Sequence, residues 1–369
     1  MNNLGIDLPS EFSQPQVISA ADQELRELVQ TALDHPLDYP PLRKAVFPGD
    51  QVAVAVHPDV PCGEQVTQAV LDYLLEMGLD IGDITLVVAK RMNYASPNHP
   101  LSLKLMRHDH EDEESVAYLA ANVEGDPIKI NRELFDADVI VPITCRDNRQ
   151  LQNDLYPEFS THETQLRFKA ASQKQAEVRL TNEHLGVFTS LNVVGGPGGE
   201  IRGATFGEKE KSDQMAERLA EQIWSLVPQG AVPLVIATIE EVSGQQTWAH
   251  FCRALVAAND VSDGDGQIVV CSGLETAPDD DYRQAFTLPF EGDEEAIWKK
   301  LGGMDEILQR VVPILMDRQV FLKSNLPDSV IEELGIGPIS SQTEFDRLIE
   351  RAQDGIILRD AHKVSVGRA

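Results

Sequence analysis

The run QVAVAV at 51–56, followed by EQVTQAVLDYLLEMG at 64–78 and DITLVVA at 83–89, constrains the fold more than any other feature of the chain. A β-branched run comes first. Val66, Val70, Leu74 and Leu75 then recur at helical spacing up to Gly78, and a second β-branched run follows. Strand, helix, strand in this order requires a crossover, so the strands are expected to be parallel and their sheet covered by helices. ADVIVPI at 137–143 predicts a third strand. The loops after these strands, HPDVPCG, KRMNYASPNHP and TCRDNRQ, lie where ligands sit in such folds.

A polar stretch leads into ETQLRFKAASQKQAEVRL at 163–180, which reads as helical. A second series begins near residue 230 with the strand PLVIATI, the helix TWAHFCRALVAAN and the strand GQIVVCSG. A helix near 303–312, the strand QVFLK, a helix near 342–353 and GIILRD complete it. The sequence therefore predicts two α/β domains, 1–210 and 211–369, with largely parallel sheets covered by helices and a cleft between them.

Charge narrows the partners. Sixty Asp and Glu against 31 Lys and Arg give a formal charge of −29, with no basic patch to interrupt it. Such a field repels nucleic acid and anionic membranes, so neither is expected as a partner. The N-terminus lacks the basic start and apolar core of a signal peptide, and no segment reaches about 18 apolar residues, so a cytoplasmic location is expected. Cys62, Cys145, Cys252 and Cys271 are too far apart for a zinc knuckle or a dense disulfide framework, and they read as thiols.

The glycine-rich segment LNVVGGPGGEIRGATFGE at 191–208 poses a choice between a phosphate cradle and a turn. A phosphate loop needs a helix after its glycines, and a Walker loop needs Gly-Lys-Ser/Thr. Here EIRGATF follows, with β-branched residues and another glycine, so a hairpin is expected.

Several side chains could carry chemistry. His57 and Asp59 follow the first strand and suit a proton acceptor and its orienting anion. Arg91, Arg146 and Arg149 also follow predicted strands; they suit either a carboxylate clamp or salt bridges with Asp147 and Asp154. His108 and His110, in RHDHEDEE, can chelate a metal, but the stretch is acidic and isolated and is expected to be a solvated loop. No metal site is assigned. His162 is expected beside a helix start capped by Ser160 or Thr161, with Glu163 in the first turn. No GxSxG elbow occurs.

The order of segments resembles the nickel-dependent lactate racemase family. The resemblance runs through PGDQVAVAV, VLDYLLEMG, DITLVVA and GDPIKINRELFDADVIVPI, and is strongest at LGVFTSLNVVGGPGGEIRGATFGE. It continues through PLVIATIEE, GQIVVCSG, RQVFLKSNLPDSVIEELG and GIILRDAHK, covering roughly residues 45–365. The family implies a nickel pincer nucleotide attached to a lysine and bound by histidine, which accepts a hydride from the 2-carbon of a hydroxy acid; no side chain can play that part.

Family motifs are altered at the expected stations. HPDVPCG stands for an Asp-x-Thr-Arg-Pro loop, and KRMNYASP for Gly-Thr-His-Arg-Pro, with Asn93 in place of a base histidine. EFSTHET stands for the cofactor-bearing loop, retaining Ser160 and placing Thr164 at the lysine position. The cofactor is therefore not expected here, and no cofactor-binding residue is assigned. His184 falls in the helix before the hairpin. In TWAHFCRAL, Arg253 replaces a substrate-facing lysine and His250 lies one turn earlier.

The resemblance implies either a divergent racemase or epimerase of a small 2-hydroxy acid, or a noncatalytic binder of small anions on the same scaffold. His57, Asp59 and His250 are the candidate catalytic residues. Arg91, Arg146 and Arg253 are the candidate ligands for a small carboxylate, and the oligomeric state is left open.

Overall fold

All five side chains of Val52–Val56 are buried, which explains why QVAVAV shows no polar alternation: an interior strand packs on both faces. The computed structural model describes residues 6–10, 12, 25–90, 92, 94, 103–146, 154–170, 174–227, 230–240, 246–290 and 294–367. The chain divides into two compact units, one of residues 20–222 and one of residues 1–19 with 223–369. The expected domain junction at 210/211 falls at the start of a helix that ends at this division.

In the first unit, α1 (Leu25–Asp34), α2 (Leu42–Ala45), β1 (Val52–Val56), α3 (Gly63–Glu76), β2 (Ile84–Ala89) and β3 (Lys104–His108) come in turn. Next are β4 (Val116–Ala121), β5 (Pro127–Asn131), α4 (Arg132–Phe135) and β6 (Val139–Cys145). The helices α5 (Leu155–Glu158), α6 (His162–Ala170) and α7 (Lys174–Leu185) precede β7 (Thr189–Gly195), β8 (Ile201–Glu208) and α8 (Lys209–Trp224). The six-stranded sheet has the order β3-β2-β1-β6-β7-β8. Every pairing is parallel except β7 with β8. β4 and β5 form a separate antiparallel pair.

The glycine-rich segment is a hairpin, as its sequence predicts: Leu191 lies opposite Phe206 and Val193 opposite Ala204. Gly207 permits a close approach, since a Cβ there would lie 2.2 Å from the carbonyl oxygen of Leu37.

One part of the sequence reading is overturned. Arg107 and His108, which begin the stretch 107–114 expected as a solvated loop, instead end the strand Lys104–His108, paired in parallel with β2 from Thr85↔Lys104 to Ala89↔His108, while the rest of that stretch is a turn and the start of a short 3-10 helix. Edge position explains the weak signal, because a strand with one neighbour needs little apolar patterning. Arg107 also finds main-chain acceptors there, at Met92 and Tyr94.

The second unit contains β9 (Ser225–Leu226), β10 (Val232–Thr238), α9 (Trp248–Asn259) and β11 (Ser262–Cys271). After α10 (Asp280–Thr287), α11 (Glu294–Leu301) and α12 (Glu306–Asp317) come β12 (Val320–Lys323) and α13 (Asp328–Glu333). The unit ends with β13 (Gly337–Pro338), α14 (Gln342–Ala352), β14 (Ile356–Leu358) and β15 (Ser365–Val366). Its parallel sheet has the order β13-β12-β11-β10-β14. Ile6 and Phe12 join Phe345 and Ile357 in the core on one face of this sheet, which ties the start of the chain to its end. The four cysteines are free thiols. Among the described residues no helix is long and apolar enough to cross a membrane.

Candidate functional site

Parallel pairing places the carboxyl ends of β3, β2, β1, β6 and β7 along one edge of the first sheet. Strand alternation then decides which side chains share a face there. Ala53, Ala55, Val87, Met106 and Ile140 enter one core with Leu155, Phe159, Phe168 and Val178 of the α5–α7 region. Continued to the strand ends, the same alternation leads to His57, His108 and Arg146.

His57 extends the strand ladder, its N–H donating to the Ile143 carbonyl at 2.9 Å. Its side chain is 7% exposed, and Asp59 Oδ2 lies 3.9 Å from Nδ1. The Asp59 N–H donates to Nδ1 at 3.2 Å, which leaves Nε2 as the protonated nitrogen of the neutral ring. The loop is fixed from two sides. Cys145 Sγ donates to the Asp59 carbonyl at 3.1 Å, and Cys62 Sγ donates to the Gly199 carbonyl at 3.4 Å. Cys62 occupies the N-cap of α3 at φ 50°, a left-handed conformation that costs a non-glycine residue energy.

Arg146 is 4% exposed and meets Asp213 of α8 at 2.9 Å. Lys209 bridges the two carboxylates, 2.6 Å from Asp154 and 2.7 Å from Asp213. Asn192 and Ser190 of β7 each donate to Asp213 Oδ1 at 2.9 Å. Burial works against the guanidinium charge of Arg146, but Asp213 and Asp154 outweigh it and hold the group above its ordinary pKa. Lys209 is raised by the same carboxylates against its own burial. Burial opposes ionisation of Asp213 as well, yet Lys209 and Arg146 hold its carboxyl below the ordinary value. Two cations thus face two carboxylates, and the salt-bridge alternative for Arg146 is the one the geometry displays, with Asp213 as the partner.

A third cluster gathers beside α5 and α6. His108 is fully buried; its Nε2 is 2.8 Å from the Ser160 carbonyl and its Nδ1 is 3.2 Å from the Asn131 amide. Burial pushes its pKa down, against the Ser160 carbonyl. His110 lies edge-on to it, with ring centroids 5.1 Å apart. Thr161 caps α6 at the Thr164 N–H, 3.4 Å away, with His162 and Glu163 in the first turn as expected. His184 sits in the last turn of α7, where Nδ1 is 2.8 Å from the Leu180 carbonyl.

These residues do not fit the cofactor that the resemblance implies. Thr164 is buried, its hydroxyl 3.1 Å from that of Thr161, and it has no amine to form the lysine attachment. The described residues hold no group of three or more His, Cys, Asp or Glu arranged for a metal ion.

In the second unit, His250 belongs to the first turn of α9, where it completes a capping box with Thr247. Its ring lies 4.8 Å from that of His362, and both are buried. Nearby in sequence, Arg359 holds Glu240 through two nitrogens at 2.8 and 2.6 Å, and the Glu240 N–H donates to Asp360 at 3.0 Å. Arg253 is half-buried beside Cys252 and Tyr282. Burial pushes the Tyr282 phenol up to about 12, with Arg253 opposing. The helix thus directs His250 toward His362 and Arg253 toward a different set of neighbours.

Arg91 and Asn93 lie outside the described residues, as do Asp147 and Arg149. Sequence reasoning missed Lys209, Asp213, Glu158 and His362. Lys209 and Asp213 are four apart on α8, a spacing that does signal an ion pair on a helix. The burial of Glu158 and His362 depends on contacts distant in sequence and left no local signal.

Comparison with known proteins gives a family match over the first part of the chain and a likeness of fold over nearly all of it. Residues 9–145 match the lactate racemase N-terminal domain. The structure of the lactate racemase apoprotein from Thermoanaerobacterium thermosaccharolyticum superposes with a TM-score of 0.61 at 14% identity, covering 98% of this chain and 97% of that one. A crystal structure of a protein from Thermotoga maritima gives a TM-score of 0.57 at 14% identity, with 94% and 98% covered. Among curated proteins nothing matches the chain.

Proposed function

We propose that this lactate-racemase-like protein, whose residues 9–145 belong to the lactate racemase N-terminal domain family, binds a small 2-hydroxy acid and interconverts its configuration at C2. The observation that carries this reading is His57: a buried imidazole at the carboxyl end of a central parallel strand, with the Asp59 carboxylate 3.9 Å from Nδ1. The neutral ring offers Nε2–H to an oxygen of the acid, and the carboxylate of Asp59 supports the imidazolium when Nδ1 also takes a proton. His250 is the corresponding candidate in the second unit. Arg91 is the proposed carboxylate ligand of the first unit, and Arg253 a separate candidate within the second. Arg146, already opposite Asp213, acts through the position of its loop.

A second reading, a noncatalytic binder of small anions, is favoured by Thr164, which stands where the resemblance implies an attachment lysine. A panel of 2-hydroxy acids titrated by calorimetry into the full chain, with Arg253→Ala and His57→Gln as variants, tests binding. Tight binding that His57→Gln weakens supports the site of the first unit, and weakening by Arg253→Ala supports the candidate of the second. Failure of every acid to bind rejects both readings.

A further inference from the structure

A groove of about 420 Å³ opens at the amino ends of the parallel strands of the second sheet, the edge opposite the one where β10 leads into α9 and His250. Its origin lies in Pro233, which has no N–H to give to a strand ladder. The pairing of β10 with β11 jumps there from Val232↔Ser262 to Leu234↔Gln267, so residues 263–266 bulge out opposite a single proline. Gly266 is required at the end of the bulge, because a Cβ there would lie 2.3 Å from Ser262 Oγ and 2.9 Å from Asp263 Oδ1. The bulge sets the exposed Asp265 against the groove.

Polar side chains from neighbouring elements complete the lining. Gln267 of β11 donates from Nε2 to Oε1 of Gln319, just before β12, at 2.7 Å, which leaves an acceptor on Gln267 and a donor on Gln319. Asp317 is the last residue of α12, and Arg351 lies in the last turn of α14. A helix C-terminus carries partial negative charge, so Arg351 suits its helix whereas Asp317 opposes its own. Among the described residues, Asp265, Asp317 and Arg351 make no ion pair and no side-chain hydrogen bond; nearby, Asp260 holds Arg310 at 3.1 Å and Arg318 holds Asn259 at 3.2 Å. Two carboxylates and one guanidinium thus face one groove with their charges unanswered.

We propose that this groove binds a small basic amino acid, with Arg351 taking its carboxylate and Asp265 and Asp317 its two cationic groups. Charge decides the class. A simple anion gains Arg351 but faces two carboxylates and the negative end of α12, whereas a diamine gains the carboxylates and leaves Arg351 unanswered. A molecule with one carboxylate and two cations meets all three charges, and the Gln267–Gln319 pair adds a donor and an acceptor. The volume lies in the range of small-molecule sites. The site shares no residue with the proposed 2-hydroxy-acid site and stands apart from that reading.

Calorimetric titration of the full-length chain with lysine tests the proposal, beside norleucine, which lacks the side-chain ammonium, and cadaverine, which lacks the carboxylate. Lysine is expected to bind about fivefold more tightly than either, the scale of one exposed ion pair. Asp265→Asn and Asp317→Asn are each expected to weaken lysine by about the same factor. Arg351→Gln is expected to weaken lysine and leave cadaverine unchanged. All three side chains are exposed, so these substitutions leave the core intact. Failure of lysine to bind, or binding that none of the three variants weakens, overturns the proposal. Lysine bound no more tightly than norleucine or cadaverine also overturns it; equality with cadaverine would identify an acidic patch that gathers cations without discrimination.

Discussion

Arg146 and Asp213 meet at 2.9 Å, joining the loop after β6 to the first turns of α8. Because Lys209 and Asp154 close the network, Arg146→Ala leaves buried charge uncompensated instead of merely deleting a contact. We expect a loss of about 3–5 kcal/mol from the first unit, the usual cost of breaking a buried pair from one side. Denaturant unfolding followed by a probe in that unit measures it. Unchanged stability accompanied by lost ligand binding would instead identify Arg146 as a direct clamp.

The same pH direction follows for two groups of the first unit. His108 is held below its ordinary value of 6.5 by burial, so between 6.5 and its folded value the unfolded chain binds a proton that the folded chain does not. Its contribution is fully present above 6.5 and is lost as pH falls through that window. Asp213, also depressed, contributes fully above the ordinary carboxylate value of 3.8 and loses its contribution as pH falls through the lower folded value. Stability against pH is therefore expected to fall in two separate windows, and His108→Gln to flatten the upper one.

Two glycines of the hairpin region should respond differently to alanine. A Cβ at Gly207 meets the main chain of Leu37 at 2.2 Å, whereas one at Gly199, with φ +79°, meets nothing within 4 Å. Gly207→Ala is expected to cost on the order of 3 kcal/mol through forced backbone movement. Gly199→Ala is expected to cost about 1 kcal/mol, from its left-handed backbone alone. Equal losses in thermal or denaturant unfolding would contradict the register of Leu37 against β8.

Much of the framework is legible in the sequence because it is written in local patterns. The β-branched runs at 52–56 and 84–89 mark central strands, and the glycines at 195–199 mark the hairpin turn. β3 escaped notice because its residues satisfy one neighbour at a sheet edge. His108 carries no local mark of burial: its enclosure comes from Ser160, 52 residues away, and Asn131, 23 residues away. The site is harder to read than the fold for that reason. His57 could be placed after its strand by position, but its tautomer depends on a main-chain N–H, and the role of Arg146 depends on a carboxylate 67 residues on.

Thr164 gives a chemical prediction independent of stability. Its buried hydroxyl faces Thr161 and offers no amine. Intact-protein mass after co-expression with the enzymes that make the nickel pincer nucleotide is expected to equal that of the unmodified chain. A stoichiometric adduct with nickel, or one mapped to Lys169 or Lys174, would overturn the prediction.

The proposed interconversion is tested most directly by incubating single enantiomers of 2-hydroxy acids with the full-length chain in deuterated water. Chiral chromatography and NMR then follow configuration and deuterium at C2 together. The account predicts that at least one acid approaches an equal mixture from either enantiomer, with deuterium in the inverted product and loss of conversion in His57→Gln. Binding of an acid with its configuration and C2 hydrogen unchanged would contradict it.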